Sequence, residues 1–297
     1  MISTRPVAGD IAAQQVGKTS LFRETLERLV ESPGAKVGVA LLALIALACV
    51  CAPLISPYEP NEMDLANMFS SPSSAHLLGT DGLGRDILSR LLYGGRYSLS
   101  LGLSAALFGG LLSIVVGSIA GYSGGRTEAA IMRLMDIWST LPGLLVAILI
   151  SAVLGTGFLN TILALSFGEV PPGVRLIRAQ ILKERTKEYL EAAEAINCSR
   201  MAIMFKHLLP NVVAPLIVHM TMGIGFAITG AAALSYIGLG IRPPTPEWGA
   251  MLADGRSHIL KCPHVIMFPG AAIALTVLAI NLIGDGLRDA LDPRLRD

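Results

Sequence analysis

The chain has 297 residues, of which 53% are hydrophobic and 15% charged, and its mean hydropathy is +0.61. Soluble domains carry roughly 25% charged residues, so an ordinary soluble enzyme is excluded. Unbroken apolar runs also exclude a transmembrane β-barrel, whose strands alternate. A net charge of +1 gives no reason to expect a nucleic-acid partner. What remains is an all-α polytopic membrane protein.

Residues 1–36 read as a cytosolic N-terminal region. Gly17-Lys18-Thr19 mimics the end of a phosphate-binding loop, but position 12 is Ala12 and no buried strand precedes it. Leu21 to Glu31 reads as an amphipathic elbow helix, with Phe22, Leu26, Leu29 and Val30 on one face. No cleavable signal peptide is expected. Residues 37–290 read as a six-span membrane domain, and 291–297 as a cytosolic tail.

Span one is expected at Val37–Ile55, ended by Pro53 and Pro57, and span two at Leu99–Tyr122, where many glycines permit close helix contact. Span three is expected at Ile131–Leu154 with a kink at Pro142. Span four, Leu159–Ile177, reads as short and broken by Pro171-Pro172-Gly173. Spans five and six are expected at Val213–Ile237 and Val265–Ile283. With the N-terminus inside, 17 of the 23 Lys and Arg fall on inside segments, so both termini are expected in the cytosol.

No catalytic motif is present: there is no His-Glu-x-x-His, no Gly-x-Ser-x-Gly and no Cys or His cluster at ligand spacing. The four cysteines imply no disulfide or metal framework. His219 and His264 read as hydrogen-bonded or interfacial residues rather than ligands. Intramembrane ionisable groups are costly and therefore functional candidates. Asp136 has Arg133 three residues earlier, which reads as a local pair. Glu169 has no such neighbour, and either lines a pathway or reaches cytosolic water. Gly79-Thr-Asp-Gly-Leu-Gly-Arg-Asp86 reads as a tight turn into a helix, with Asp86 and Arg90 paired at i and i+4 and Arg96 among the headgroups. Asp81, Arg85 and Asp86 thus belong either to an interfacial elbow or to an external gate.

The polar stretch Lys187–Asn211 interrupts the apolar second half. Two short helical patterns meet at Asn197, a residue able to take positive φ. Ser199 is a suitable N-cap for the second helix, and Leu209-Pro210-Asn211 leads into span five. Such a rigid knob suits transmission of force from a soluble partner.

This stretch resembles the EAA loop of the inner-membrane permeases of ABC importers. The chain from about Pro53 to Arg294 resembles, more narrowly, the C-type permeases of the dipeptide, oligopeptide and nickel uptake family. The resemblance rests on Leu78-Gly-Thr-Asp-Gly-Leu-Gly-Arg-Asp-Ile-Leu-Ser-Arg90, Met132-Arg-Leu-Met-Asp-Ile-Trp138 and Arg178-Ala-Gln180. It rests further on the stretch through Leu209-Pro210-Asn211, on Pro243-Pro-Thr-Pro-Glu-Trp-Gly-Ala-Met-Leu252, and on Asn281-Leu-Ile-Gly-Asp-Gly-Leu-Arg-Asp-Ala-Leu-Asp-Pro293.

The resemblance implies a type I ABC importer permease fold in the bacterial cytoplasmic membrane. It implies a second homologous permease, two ATP-binding subunits holding ATP and Mg, and an extracytoplasmic substrate-binding protein. This chain would bind no cofactor of its own. Glu191, Ala192, Ala193, Asn197, Leu209 and Pro210 match the coupling motif. Two positions depart from the family pattern: Asn197 stands where Gly is usual, and Phe167–Pro172 carries extra prolines. The family imports short peptides, nickel and a few other solutes. The lack of a His or Cys ligand set favours peptide over metal. A stand-alone channel or membrane enzyme would leave the knob unexplained.

Overall fold

The computed structural model describes residues 27–29 and 31–291. Most of the expected elbow at Leu21–Glu31, the Gly17-Lys18-Thr19 stretch and nearly all of the tail lie outside these residues. Among the described residues the secondary structure is helical, apart from one isolated bridge between Thr80 and Asp86.

Helix α1 spans Pro33–Val50 and α2 spans Ala52–Ile55. Ser32 caps α1 through Ala35 N–H, with Pro33 in the first turn, where a missing N–H costs nothing. Helix α3 runs Ile87–Ser123, 37 residues and therefore about 55 Å. It begins twelve residues earlier than its apolar run suggests, because Asp86 caps it by accepting from Ser89 N–H at 2.8 Å. Helix α4, Gly125–Trp138, and helix α5, Gly143–Leu154, replace the single kinked span expected there, and meet at 85°. Pro142 is the residue before α5, in extended conformation. It disfavours a helical Leu141 and thus separates the two helices.

Helix α6 is continuous from Phe158 to Glu184, with both Pro171 and Pro172 inside it. This corrects the expected break. Two lost N–H donors are tolerated because this face is packed along α3, with Val170, Pro171, Gly173, Val174, Ile177 and Ile181 buried. The approach is close: a Cβ added at Gly117 would lie 2.8 Å from Ile177 Cβ, and one at Gly121 would lie 2.9 Å from Ile181 Cβ. Serines reinforce the contact, as Ser166 Oγ donates to Ala105 O at 3.0 Å.

Helix α7 spans Glu188–Ala195 and α8 spans Arg200–Ala202. A π-turn over Ile203–Leu208 then joins α8 to α9, Leu209–Tyr236. The second helix of the knob is therefore continuous with span five, not separate from it. The π-turn closes with Leu209 N–H bonded to Met204 O, which places Pro210 at the register change, where its missing donor is best accommodated. Helix α10 spans Trp248–Gly255 and α11 spans His264–Leu291.

Among the described residues four helices are long and apolar enough to cross a membrane: α1, α3, the continuous Arg200–Tyr236 helix and α11, with the bent α4–α5 pair as a fifth. Helix α6, at 27 residues, is also long enough, but it carries Glu169, Arg175, Arg178 and Lys183. Exposed aliphatic side chains recur every four residues on α3, at Leu103, Leu107, Leu111, Val115 and Ile119. An apolar stripe of that length suits lipid or another subunit, not water.

Candidate functional sites at the two ends and the middle of the bundle

At the end of the bundle carrying residues 187–211, α7 turns into α8 through Asn197, whose φ is 59°. The Cys198 N–H bonds back to Ala193 O at 3.0 Å, the outer bond of a Schellman cap. Ser199 Oγ then accepts from Ala202 N–H at 3.2 Å. The turn thus has the left-handed geometry that glycine commonly supplies, here held by asparagine.

The underside of this module has its own core. Leu190, Ala193, Ile203, Met204 and Leu208 are buried with Ile177 and Ile181 of α6 and Val212 and Leu216 of α9. Its tip is different: Ile196, Met201 and Phe205 are 76%, 67% and 61% exposed. Glu191, Ala192 and Asn197 are exposed beside them, and Ala193 is buried. Leu209 and Pro210 sit at the start of α9. A polar network not anticipated from sequence ties three elements together. Tyr189 Oη donates to Glu184 Oε1 at 2.6 Å, Lys187 Nζ donates to the same carboxylate, and Asn211 Nδ2 donates to Tyr189 Oη at 3.2 Å. Burial, and then the bond to Glu184, push the Tyr189 phenol up to about 12.

At the opposite end, the turn before α3 uses positive φ at Gly79 and Gly84. Asp81 accepts from Leu83 N–H and Arg85 N–H, and Arg85 Nε donates to it at 2.7 Å. Arg90 Nε lies 3.5 Å from the same carboxylate, and Arg85 Nη2 reaches Asp254 on α10 at 3.4 Å. Asp86 does not pair with Arg90 through its side chain. Its carboxylate is taken by Ser89 and by His76 Nδ1 at 3.0 Å, because capping α3 turns it away from the following turn. Arg96, expected among headgroups, donates to the Cys49 and Val50 carbonyls at the end of α1. His264 is buried and its ring backs onto Gly79.

Glu247, not anticipated from sequence, is 2% exposed. It caps α10, accepting from Gly249 and Ala250 N–H at 2.8 Å, and also from Ser98 and Ser235 Oγ. The signal available was the Glu-Trp-Gly-Ala run directly after a proline-rich loop, a form of helix start.

Within the bundle, Asp136 pairs with Arg175 of α6 at 3.1 Å rather than with Arg133. It lies exposed on the amphipathic α4, and Glu128 of the same helix pairs with Arg178. Glu169 does have a neighbour: His219 Nε2 of α9 lies 3.6 Å from its Oε2. The pair is 50 residues apart in sequence, so no local pattern reveals it. Glu169 also lines a cleft of about 330 Å³ between α5, α6 and α9.

Comparison with known proteins gives this geometry a context. Residues 113–297 match the model of the binding-protein-dependent transport system inner membrane component, and residues 20–72 match the N-terminal TM domain of oligopeptide transport permease C. The chain is 44% identical over 284 residues to the di/tripeptide transport system permease protein DppC of Pseudomonas aeruginosa, covering 94% of each chain. It is 42% identical to the glutathione transport system permease protein GsiD of Pectobacterium atrosepticum, over 100% of this chain and 97% of that one. Among solved structures, a chain of the MetNI methionine ABC transporter in an inward-facing conformation superposes with a TM-score of 0.55 at 18% identity, covering 68% of this chain and 97% of that chain. The shared architecture is the type I importer fold.

Proposed function

We propose a function from one premise: the chain belongs to the family of binding-protein-dependent transport system inner membrane components. It acts as one permease of an ATP-driven importer that passes short peptides across the cytoplasmic membrane, with both of its termini in the cytosol. A second, homologous permease completes the pathway. Two partner subunits bind ATP and Mg and hydrolyse the nucleotide, and an external binding protein delivers the peptide. The chain itself contributes no catalytic group. Its relatives named for di/tripeptide and glutathione transport support a peptide cargo over the nickel alternative.

The single observation that carries this reading is the form of the 187–211 module. Its tip exposes Ile196, Met201 and Phe205, while its underside is fused to α6 and α9. An exposed apolar tip on a rigid base suits a protein partner. Because α8 continues into α9 without a break, displacement of the tip tilts a membrane-crossing helix directly. ATPase and binding protein then bias opposite ends of one two-state equilibrium.

The test is uptake and ATP hydrolysis by the four-subunit complex in proteoliposomes. Asn197→Pro is incompatible with φ 59°, since proline holds φ near −65°. It is expected to retain hydrolysis while losing peptide uptake, whereas Asn197→Gly keeps both. Glu191→Lys, at the exposed tip, is expected to weaken ATPase binding. Wild-type uptake by Asn197→Pro and Glu191→Lys alike would end the reading of this module as the coupling element. Binding-protein affinity for a dipeptide panel against nickel decides the cargo.

A further inference from the structure

We infer that Glu169 is the group that receives the free ammonium of the cargo on its way through the bundle. The inference rests on the peptide-importer reading and deepens it, because it assigns a recognition chemistry to a place inside the membrane domain.

The cleft between α5, α6 and α9 is about 330 Å³, within the range of sites that hold a small organic ligand, and it is open along the edge where Phe226 is 70% exposed. Its walls are mainly apolar or featureless, with Gly143, Leu144, Leu165 and Phe226 among them. Two lining side chains are polar, and both present acceptors. Glu169 is a carboxylate. Thr229 has its hydroxyl proton committed to Gly225 O at 2.9 Å, so only its lone pairs remain for a guest. No Lys, Arg or His lines the cavity. A site whose side chains only accept selects a donor, and a carboxylate in apolar surroundings selects a cationic one.

A charge at this depth is costly to keep unpaired. At rest His219, which is not among the residues lining the cavity, stands 3.6 Å away, and its Nε2 is buried with no hydrogen-bond partner. The gap there, lined by Ser113, Met220 and Gly223, is too small for more than about one water. Glu169 thus adjoins both a resting neighbour and a guest-sized space. An entering ammonium supplies three donors in place of the single imidazole nitrogen. A metal cation is a poorer match, since among the described residues no group of three or more His, Cys, Asp or Glu side chains is placed to hold one.

The test uses the complete importer in proteoliposomes with saturating binding protein, and Ala-Ala as cargo. Loss of one charge-assisted contact predicts that Glu169→Gln lowers uptake about tenfold or more. Glu169→Asp is expected to keep most of the uptake. Full uptake by Glu169→Gln would overturn the inference. If the wild-type complex itself takes up no peptide, the importer reading fails instead, so the two failures are distinct.

A second measurement avoids altering Glu169. In the assembled complex without binding protein, a cysteine at the cavity wall, Phe226→Cys, is labelled with a maleimide in the presence of Ala-Ala or of its des-amino analogue, propionyl-alanine. Protection by Ala-Ala alone is expected. Equal protection by both, or by neither, would overturn the assignment.

Discussion

Asn197 and Tyr189 show how single residues set the stiffness of the 187–211 module. Asn197 holds a backbone conformation that costs most L-residues about 1 kcal/mol or more, and the Cys198–Ala193 hydrogen bond closes around it. Tyr189 joins the ends of α6 and α9 through Glu184 and Asn211. Its phenol is raised from 10.0 to about 12, first by burial and then by the bond to Glu184. For an acid whose folded value is raised, the stabilising contribution is complete below the unfolded value. It is therefore full below about pH 10 and lost as pH rises through 12. Subtracting the ultraviolet phenolate titration of Tyr189→Phe from that of the wild type is expected to isolate one tyrosine ionising near pH 12. A difference curve centred at 10 would show that the phenol is not held by Glu184.

Among the elements, α10 depends most on one side chain. Glu247 supplies two backbone caps and two hydroxyl contacts from a buried position. Glu247→Ala removes the cap and leaves buried donors unpaired, an expected loss of about 3 kcal/mol, measured as denaturant stability of the purified permease. Glu247→Gln, which keeps two acceptor lone pairs on one oxygen, is expected to lose less than half of that. Most of the crossing helices were legible in the sequence as long apolar runs, but the division of one expected span into α4 and α5, and the short α10 between two expected spans, were not. Nor were the element ends. The start of α3 depends on the Asp86 cap and the 79–86 turn, which lie in polar sequence well before the apolar run. The continuity of α6 was hidden by Pro171 and Pro172, since local propensity opposes a helix there and only packing against α3 sustains it. The turn at Asn197 and the Ser199 cap were readable because turn and cap chemistry is local. The Glu169–His219 and Asp136–Arg175 pairs were not, because they join residues 50 and 39 positions apart.

At the scale of the whole molecule, α3 is the axis against which α1, α6 and α9 are arranged, and its contact with α6 is the tightest join between the two ends of the bundle. The buried core of the 187–211 module includes Ile177 and Ile181, the same α6 side chains that close on Gly117 and Gly121 of α3. A bulkier residue at Gly117 therefore acts on more than local packing. A Cβ there already falls 2.8 Å from Ile177 Cβ and 3.0 Å from Val174 O, and neither backbone nor a β-branched side chain has room to withdraw within a packed interface. Gly117→Val is expected to force α3 and α6 apart at an overpacking cost of about 2 kcal/mol. Since Ile177 also supports the 187–211 module, the same substitution is expected to loosen that module without touching it. Hydrogen exchange measured by mass spectrometry provides the check: faster exchange should appear in the 188–208 segment as well as around 117 and 177. Faster exchange confined to α3 and α6 would mean that the knob is anchored independently of the helix it is packed on. In that case force delivered at its tip would enter the membrane through α9 alone.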